Sequence, residues 1–590
     1  MKPFIAVLIA LLFALFFYLL PQPVPEPSPD SASDTTNSFV IGPVQLFDGD
    51  NWQEDVYLEV QDGWVQHWHN QAPNSDLTQI DGKGYWLLPG LIDAHVHAWG
   101  DALAQNLRFG VSTVLDQFGQ PDFLNQQQAQ HSSTEPTTVA DMFGAGTLAT
   151  VAGGHGTQYG FAIPVLSGPE DAEPFVLARK AEGSHWIKIV YRSEQARQAG
   201  QPSLDLPTVS ALIQTAQRHG LMALVHIEDQ NSALEAIQAG ANGLVHGFFD
   251  APVSDEFIAA MQANGSFMIP TLVVMEGFLQ HSINQELLLS DPADWLTPAM
   301  KHKLQQRLNF GAKNPRAFAQ LQQNVKRLFD AGIPILAGSD APNPNTDYGV
   351  SLVVEMELLR RAGLPVDAVL HSATGLTARQ FQLPAQGHLK PGAKADFLLL
   401  ANDPRNDFTE LLQPEGIWKH GWRLPEASAT AKPELLLPGV VADFRQSEQP
   451  VHGVFMASDD RVMLGKSHAS LQWHPQLTMR VQGALLPGFT YPWAGLSWLL
   501  TGSPDQGADL SGMQTLRFRI RGTPGQYRLD AFSAGSWMPS SHSFAVTQDW
   551  QWVELSLADF QGLDPAAISM LSWIGPAGDF QFELEQIELE

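Results

Sequence analysis

The sequence predicts an α/β chain: a parallel (β/α)8 TIM barrel, flanked by a small β-sandwich and followed by a C-terminal all-β jelly roll. Three observations predict this. Eight short apolar stretches alternate with helical segments between residues 88 and 383. Strand-and-turn texture lies on both sides of that region, at 39–87 and 384–432. From 433 to 590, strand-like stretches are separated by Gly, Pro and Asp turns. At 590 residues the chain is too long for one ordinary domain.

Residues 1–20 read as an address. One lysine, Lys2, precedes an unbroken apolar run from Phe4 to Leu20. A helix of that length covers most of a bilayer core. It is expected to be a signal peptide or, since no small-x-small cleavage site follows directly, an uncleaved N-terminal membrane anchor. The positive flank stays cytoplasmic and the remainder is exported, to a periplasmic or extracytoplasmic face. Residues 21–38, PQPVPEPSPDSASDTTNS, form an extended Pro/Ser-rich linker. The absence of cysteine excludes disulfides, thiolate metal ligands and a thiol nucleophile. A formal net charge of −29 argues against a nucleic-acid partner.

Asp48–Gly49 and Asp62–Gly63 suit tight turns in the first β unit. The same texture returns in GHLKPGAKADFLLLANDP, so 39–87 and 384–432 are expected to pair into one small sheet. The barrel strands are LIDAHVHA, VSTVLDQ, ADMFGAG, HWIKIVY, LMALVHIED, GLVHGF, SFMIPTL and ILAGSDAP. Between His226 and His246 one crossover is visible. Asn231 or Ser232 can cap a helix, SALEAIQA follows with helical spacing, and Gly240 ends it. Residues 273–331 are too long for a simple crossover and read as a lid over the barrel mouth or as an extra packing layer.

Polar groups occupy strand positions where apolar ones would pack better. Asp93, His95 and His97 are spaced two apart, which on a regular strand puts all three on one face. Lys188 lies between Ile187 and Ile189, His226 and His246 sit in VHI and VHG, and Asp340 ends GSD. Alone, a buried histidine is usually a satisfied core residue, and a lysine between isoleucines usually snorkels. Six such groups at the C-terminal ends of five strands point instead to an active site. Four imidazoles, a carboxylate and a lysine suit two divalent ions such as Zn2+. The ammonium of Lys188 would be repelled by cations. As a neutral amine it can take up CO2, and the carboxylated Lys188 then offers two anionic oxygens to bridge both metals. A metal-bridging hydroxide is the expected nucleophile, with Asp340 as catalytic general base and acid.

LPGLIDAHVH, FGVSTVLD, GSHWIKI, VHI, VHG and AGSDAP together resemble the amidohydrolase superfamily of metal-dependent hydrolases. The closing segment ATGLTARQFQLPAQGHLKPGAKADFLLLANDP is similar to that family's, and the likeness runs from about Phe39 to Arg423. It implies metal roles for His95, His97, Lys188, His226, His246 and Asp340. A lysine on the fourth strand resembles the binuclear branch of prolidase-like, imidazolonepropionase-like and cyclic-amide hydrolases. There, groups placed like His155 of GGHG and Tyr191 meet the substrate; Glu228 is a weaker candidate. In the C-terminal unit, ASDDRVMLGKSHASL, GALLPGFTYPWAGLSWLL and ADLSGMQTLRFRIRG resemble the galactose-binding-like domains of the complex I intermediate-associated protein family. That likeness implies a sandwich with a carbohydrate or protein ligand. Trp493, Trp498, Trp537, Trp550 and Trp552 could stack on one, but a buried aromatic core explains them more simply.

The expected activity is hydrolysis of a C–N bond in a small-molecule amide, dipeptide or cyclic amide. Lactone, ester or phosphoester hydrolysis by the same centre is the second reading. A non-enzymatic binding or assembly protein working through the jelly roll is the third.

Overall fold

Strand Trp86–Pro89 pairs in parallel with Phe39–Phe47 and antiparallel with Phe397–Leu400. Segments more than three hundred residues apart therefore share one eight-stranded sheet. Its core packs Phe39, Leu46, Leu58, Val65, Leu87, Phe397 and Trp418, with the rings of Phe397 and Trp418 stacked at 4.8 Å. The computed structural model describes residues 36–590, except 100, 158–162, 198–201, 280–283, 285–295, 297, 306–313, 426–433, 448–449, 461–465, 475–477, 488–491, 502–506 and 535–538. The apolar run at 4–20 and nearly all of the linker fall outside these residues. Among the described residues no helix is long and apolar enough to cross a membrane.

Between the two halves of that sheet lie seven parallel strands in two ladders. Leu91–Val96, Val111–Asp116 and Asp141–Gly144 form the first. Trp186–Val190, Met222–His226, Gly243–Val245 and Phe267–Ile269 form the second. Single bridges continue the order. Ala149 pairs with Ile189, Met268 with Ile335, and Val96 with Ala341. The eighth stretch, 335–341, thus stands between the last strand and the first, but it carries bridges rather than a ladder. One apolar cluster takes residues from all seven strands and from this stretch, including Ile92, Leu115, Phe143, Trp186, Leu224, Val245, Ile269 and Leu336. A second, larger cluster joins the opposite strand faces to the helices.

Helices follow the strands for local reasons. Asp205 caps Leu206–Arg218, accepting from the Thr208 N–H. Asp229, rather than Asn231 or Ser232, caps Gln230–Gln238. Its carboxylate accepts from the Ser232 N–H at 2.7 Å while Ser232 Oγ reaches back to the Asp229 N–H, a reciprocal capping box. Of the insertion at 273–331, helices Leu272–Phe278, Pro298–Gln305 and Pro315–Asp330 are described.

The flanking sheet is fastened to the parallel strands by buried charge. Lys419 Nζ lies 2.6 Å from Asp396 and 3.0 Å from Asp141, Lys394 Nζ lies 3.0 Å from Asp141, and His420 closes the group. Asp141, Asp396 and His420 are close enough to hold an ion. Two ammonium groups already neutralise both carboxylates, so the cluster is an ion-pair junction rather than a metal site.

From 434 onward two β-sheets, of seven and six strands, face each other. Trp498 and Trp573 of one pack with Phe518, Phe582 and Val481 of the other; the rings of Phe518 and Trp573 meet edge-on at 5.6 Å. The tryptophans divide. Trp493 and Trp498 are buried, Trp550 is half-buried, and Trp552 is 37% exposed. Trp537 lies outside the described residues.

Candidate metal centre

The first parallel strand departs from strict alternation. Its register against Val111–Asp116 slips by one residue between Asp93 and Val96. This bulge lets Ala94 share the inner apolar cluster while Val96 joins the outer one. Asp93 consequently does not share a face with the two histidines. Its Oδ1 accepts from the backbone N–H groups of His95 and Ser339, at 3.1 and 2.9 Å. Its charge is felt by Glu355, on the helix Val350–Arg361 of the outer layer. Burial pushes Asp93 up to about 7 and Glu355 up to about 8. Asp93 holds the eighth stretch against the first strand.

His95 and His97 turn toward Asp340. Their Nε2 atoms lie 3.1 and 3.2 Å from Asp340 Oδ1. These ligand atoms all fall within 4.8 Å of one another. The His246 ring is 5.1 Å from that of His95 and 4.5 Å from that of His226. Lys188 is within electrostatic reach of His95, His226, His246 and Asp340. The structure thus gathers all six residues at one end of the parallel strands. Two of them need unusual backbone. His246 has φ +73° and Asp340 φ +55°, left-handed values that cost a non-glycine residue on the order of 1–3 kcal/mol. Asp340 is held there by its N–H donating to the His95 carbonyl at 2.7 Å.

The electrostatics suit cations. Burial drives His95, His226 and His246 well below the usual histidine range, so their rings are neutral and have lone pairs to offer. Burial works to raise Asp340, but His95, His97 and His246 around it hold it well below the ordinary carboxylate value. Burial brings Lys188 down to about 7, against the pull of Asp340 and Asp116. Several buried atoms have no hydrogen-bond partner among the described residues: Lys188 Nζ, His226 Nε2 and Asp340 Oδ1. Leaving such atoms unmatched is costly. A pair of divalent ions would satisfy the His226 nitrogen and the Asp340 oxygen, and the donor set of imidazole nitrogen and carboxylate oxygen is of the kind Zn2+ takes.

A model of the Amidohydrolase family matches residues 86–422, more than half of the chain. The chain belongs to this family. A relative, an uncharacterized protein of Mycobacterium tuberculosis, is 25% identical over 342 residues, covering 56% of this chain and 83% of the relative. Solved amidohydrolase-like structures share the fold. A Xaa-Pro dipeptidase with methionine bound in its active site superposes with a TM-score of 0.52 at 21% identity, covering 66% of this chain and 99% of the other. The A. niger ochratoxinase gives 0.50 at 17% identity, covering 65% and 95%. A molinate hydrolase gives 0.50 at 18%, covering 67% and 98%. The chain is therefore an amidohydrolase with additional C-terminal β-strands, its solved neighbours suggest a TIM-barrel-type fold, and its family generally uses divalent metal ions.

Beyond the six residues, this amidohydrolase places the other candidates unequally. His155 stacks on His226 with ring centres 5.1 Å apart, and burial lowers it to about 4. It stands beside the centre. Tyr191 does not. Lys188 faces inward, so Ile189 and Tyr191 fall on the outer face with the helix layer. The Tyr191 hydroxyl donates to Glu235 Oε2 on the helix Gln230–Gln238 at 2.5 Å. That corrects the reading of Tyr191 as a substrate contact. Glu228 pairs with Arg192 and sits 3.7 Å from His226 Nε2.

Two further residues carried no sequence signal of their own. Asp116 ends the second strand; its Oδ1 accepts from the Ala98 N–H at 2.8 Å, and burial raises it to about 6 against the pull of His97 and Lys188. Thr271, at φ +48°, places its Oγ1 2.8 Å from His246 Nδ1. This contact fixes the imidazole ring so that Nε2 is the nitrogen left for a metal. Thr271→Val is expected to weaken metal binding by about 10–100-fold. Metal titration of the chelator-treated protein measures it; an unchanged affinity would show that His246 is oriented by packing alone.

Proposed function

We propose that this amidohydrolase is an exported, membrane-tethered binuclear enzyme that cleaves a C–N bond in a small amide, dipeptide or cyclic amide. One observation carries the reading most. Four imidazoles, Lys188 and Asp340 converge, and the buried Lys188 Nζ, His226 Nε2 and Asp340 Oδ1 lack partners among the described residues. The cyclic strand order and its connecting bridges support a closed (β/α)8 ring that presents these groups at its C-terminal mouth. His95, His97 and Asp340 would hold one ion, and His226 and His246 the other. Lys188 is the residue suited to bridge. Its amine loses a proton to a base, bonds to CO2, and becomes a carbamate anion. Zn2+ fits these donors. The bound ions would supply a water deprotonated near neutral pH and a Lewis acid for the scissile carbonyl.

The chain's own groups do the rest. Asp340 is ionised and its Oδ1 has no aligned hydrogen bond, so it can take a proton at that oxygen and pass it to the departing nitrogen. His155 and the Arg192–Glu228 pair border the centre where a substrate's polar ends would lie. A dipeptide is a sensible first substrate class because a Xaa-Pro dipeptidase shares the fold. The apolar N-terminal run supports tethering at an extracytoplasmic face.

The test is direct. The purified protein should contain close to two divalent ions per chain by elemental analysis. The zinc-loaded enzyme should hydrolyse members of a dipeptide and acyl-amino-acid library, and chelation should abolish this. Turnover of lactones or phosphoesters alone would assign the centre to ester chemistry. Full activity without metal would end the proposal.

A further inference from the structure

The C-terminal domain exposes one face built of planar polar side chains and tryptophan. Strand Thr515–Gly522 alternates strictly. Leu516, Phe518 and Ile520 enter the core, and Arg517, Arg519 and Arg521 stand on the outer face. Each guanidinium lies over an indole of the neighbouring strand region. Arg517 sits 4.2 Å from the Trp552 ring centre, and Arg519 and Arg521 sit 5.5 and 4.8 Å from that of Trp550. On the other side, Glu583 is 5% exposed and clamped between two arginines. Its Oε1 accepts from Arg480 at 2.8 Å and its Oε2 from Arg521 at 2.6 Å. Gln482 donates to Gln581 at 2.8 Å in the next register. Where this ribbon meets the strand end, Arg521, Thr523, Gln548, Gln581 and Glu583 line an open cleft of about 330 Å3.

We infer that this cleft and the Trp550–Trp552 ribbon beside it form a binding site for a neutral glycan chain. The charge on the face decides the ligand class. Arg480, Arg517, Arg519 and Arg521 are each paired with Glu583, Glu554, Glu585 or Glu588. The face therefore carries no net field to attract an ion, and the chain's charge of −29 repels polyanions. What remains are fixed, planar hydrogen-bonding groups that match vicinal hydroxyls, and flat indole faces that match the C–H face of a sugar ring. The arginines stacked against the indoles hold them in place, so little order is lost on binding. The inference is independent of the metal centre.

The experiment is affinity electrophoresis of the full chain through gels containing mixed-linkage β-glucan, laminarin, galactomannan or xylan, with alginate as the anionic arm. At least one neutral polymer should retard the protein. Trp550→Ala and Gln581→Ala should each weaken that binding about tenfold, with the melting curve of Gln581→Ala unchanged because its side chain is exposed. Four results would overturn the assignment: no retardation by any neutral polymer, retardation by alginate alone, variants that bind like the parent, or Trp550-dependent self-association in sedimentation.

Discussion

Lys188→Ala is expected to purify with less than one divalent ion per chain and to lose on the order of 10³-fold in kcat/KM, about 4 kcal/mol of transition-state stabilisation. The methyl group leaves a cavity where the lysine stem and its added carboxylate would reach. Formate, acetate or propionate should enter it, supply the missing oxygens and restore part of the activity in a concentration-dependent way. The wild-type amine carries a pH signature in the metal-free protein. Burial lowers Lys188 to about 7, so it is neutral above that pH and cationic below it. Only the neutral form bonds to CO2. Metal-free enzyme given ions and bicarbonate should recover faster at pH 8 than at pH 6. Wild-type activity in the alanine variant, or equal recovery at both pH values, would remove the carbamate from the proposal.

Asp340→Asn should behave differently. The amide keeps an oxygen beside His95 and His97 but cannot accept a proton. Metal content should stay near that of the parent and KM should change little, while kcat falls on the order of 10²–10⁴-fold. The acid limb of the kcat profile should flatten, because Asp340 is the group that must be ionised there. Burial raises it, but the surrounding histidines outweigh this and hold it low, so its charged form is kept down to acidic pH. Metal loss instead of kcat loss would make Asp340 a ligand without a role in proton transfer.

Spacing made some of this site legible. His95 and His97, two apart, and Lys188 between isoleucines could be read from the pattern because their side chains obey strand alternation. Asp93 could not, because the bulge that follows it changes which face each later residue takes. Tyr191 misled for the opposite reason: it obeys the alternation and so turns away from Lys188. His246 was visible as a residue, but its left-handed backbone and its tie to Thr271, twenty-five residues on, are tertiary facts. The same holds for the cap at Asp229, where a carboxylate outcompetes the nearby Asn231 and Ser232 for the first amides of the helix. Indole count alone did not separate buried Trp498 from exposed Trp552, because the sequence does not say which sheet face is covered.

The junction of Lys394, Lys419 and His420 with Asp141 sets a timetable for synthesis. Strand Trp86–Pro89 leaves the ribosome roughly 15–60 s before its partner Phe397–Leu400, at about 5–20 residues per second. Until Lys394 and then Lys419 have been translated, Asp141 has no ammonium to compensate its burial, so the nearby end of the parallel strands stays wet and loosely joined. The floor of the enzyme is sealed last, by residues made long after the histidines above it.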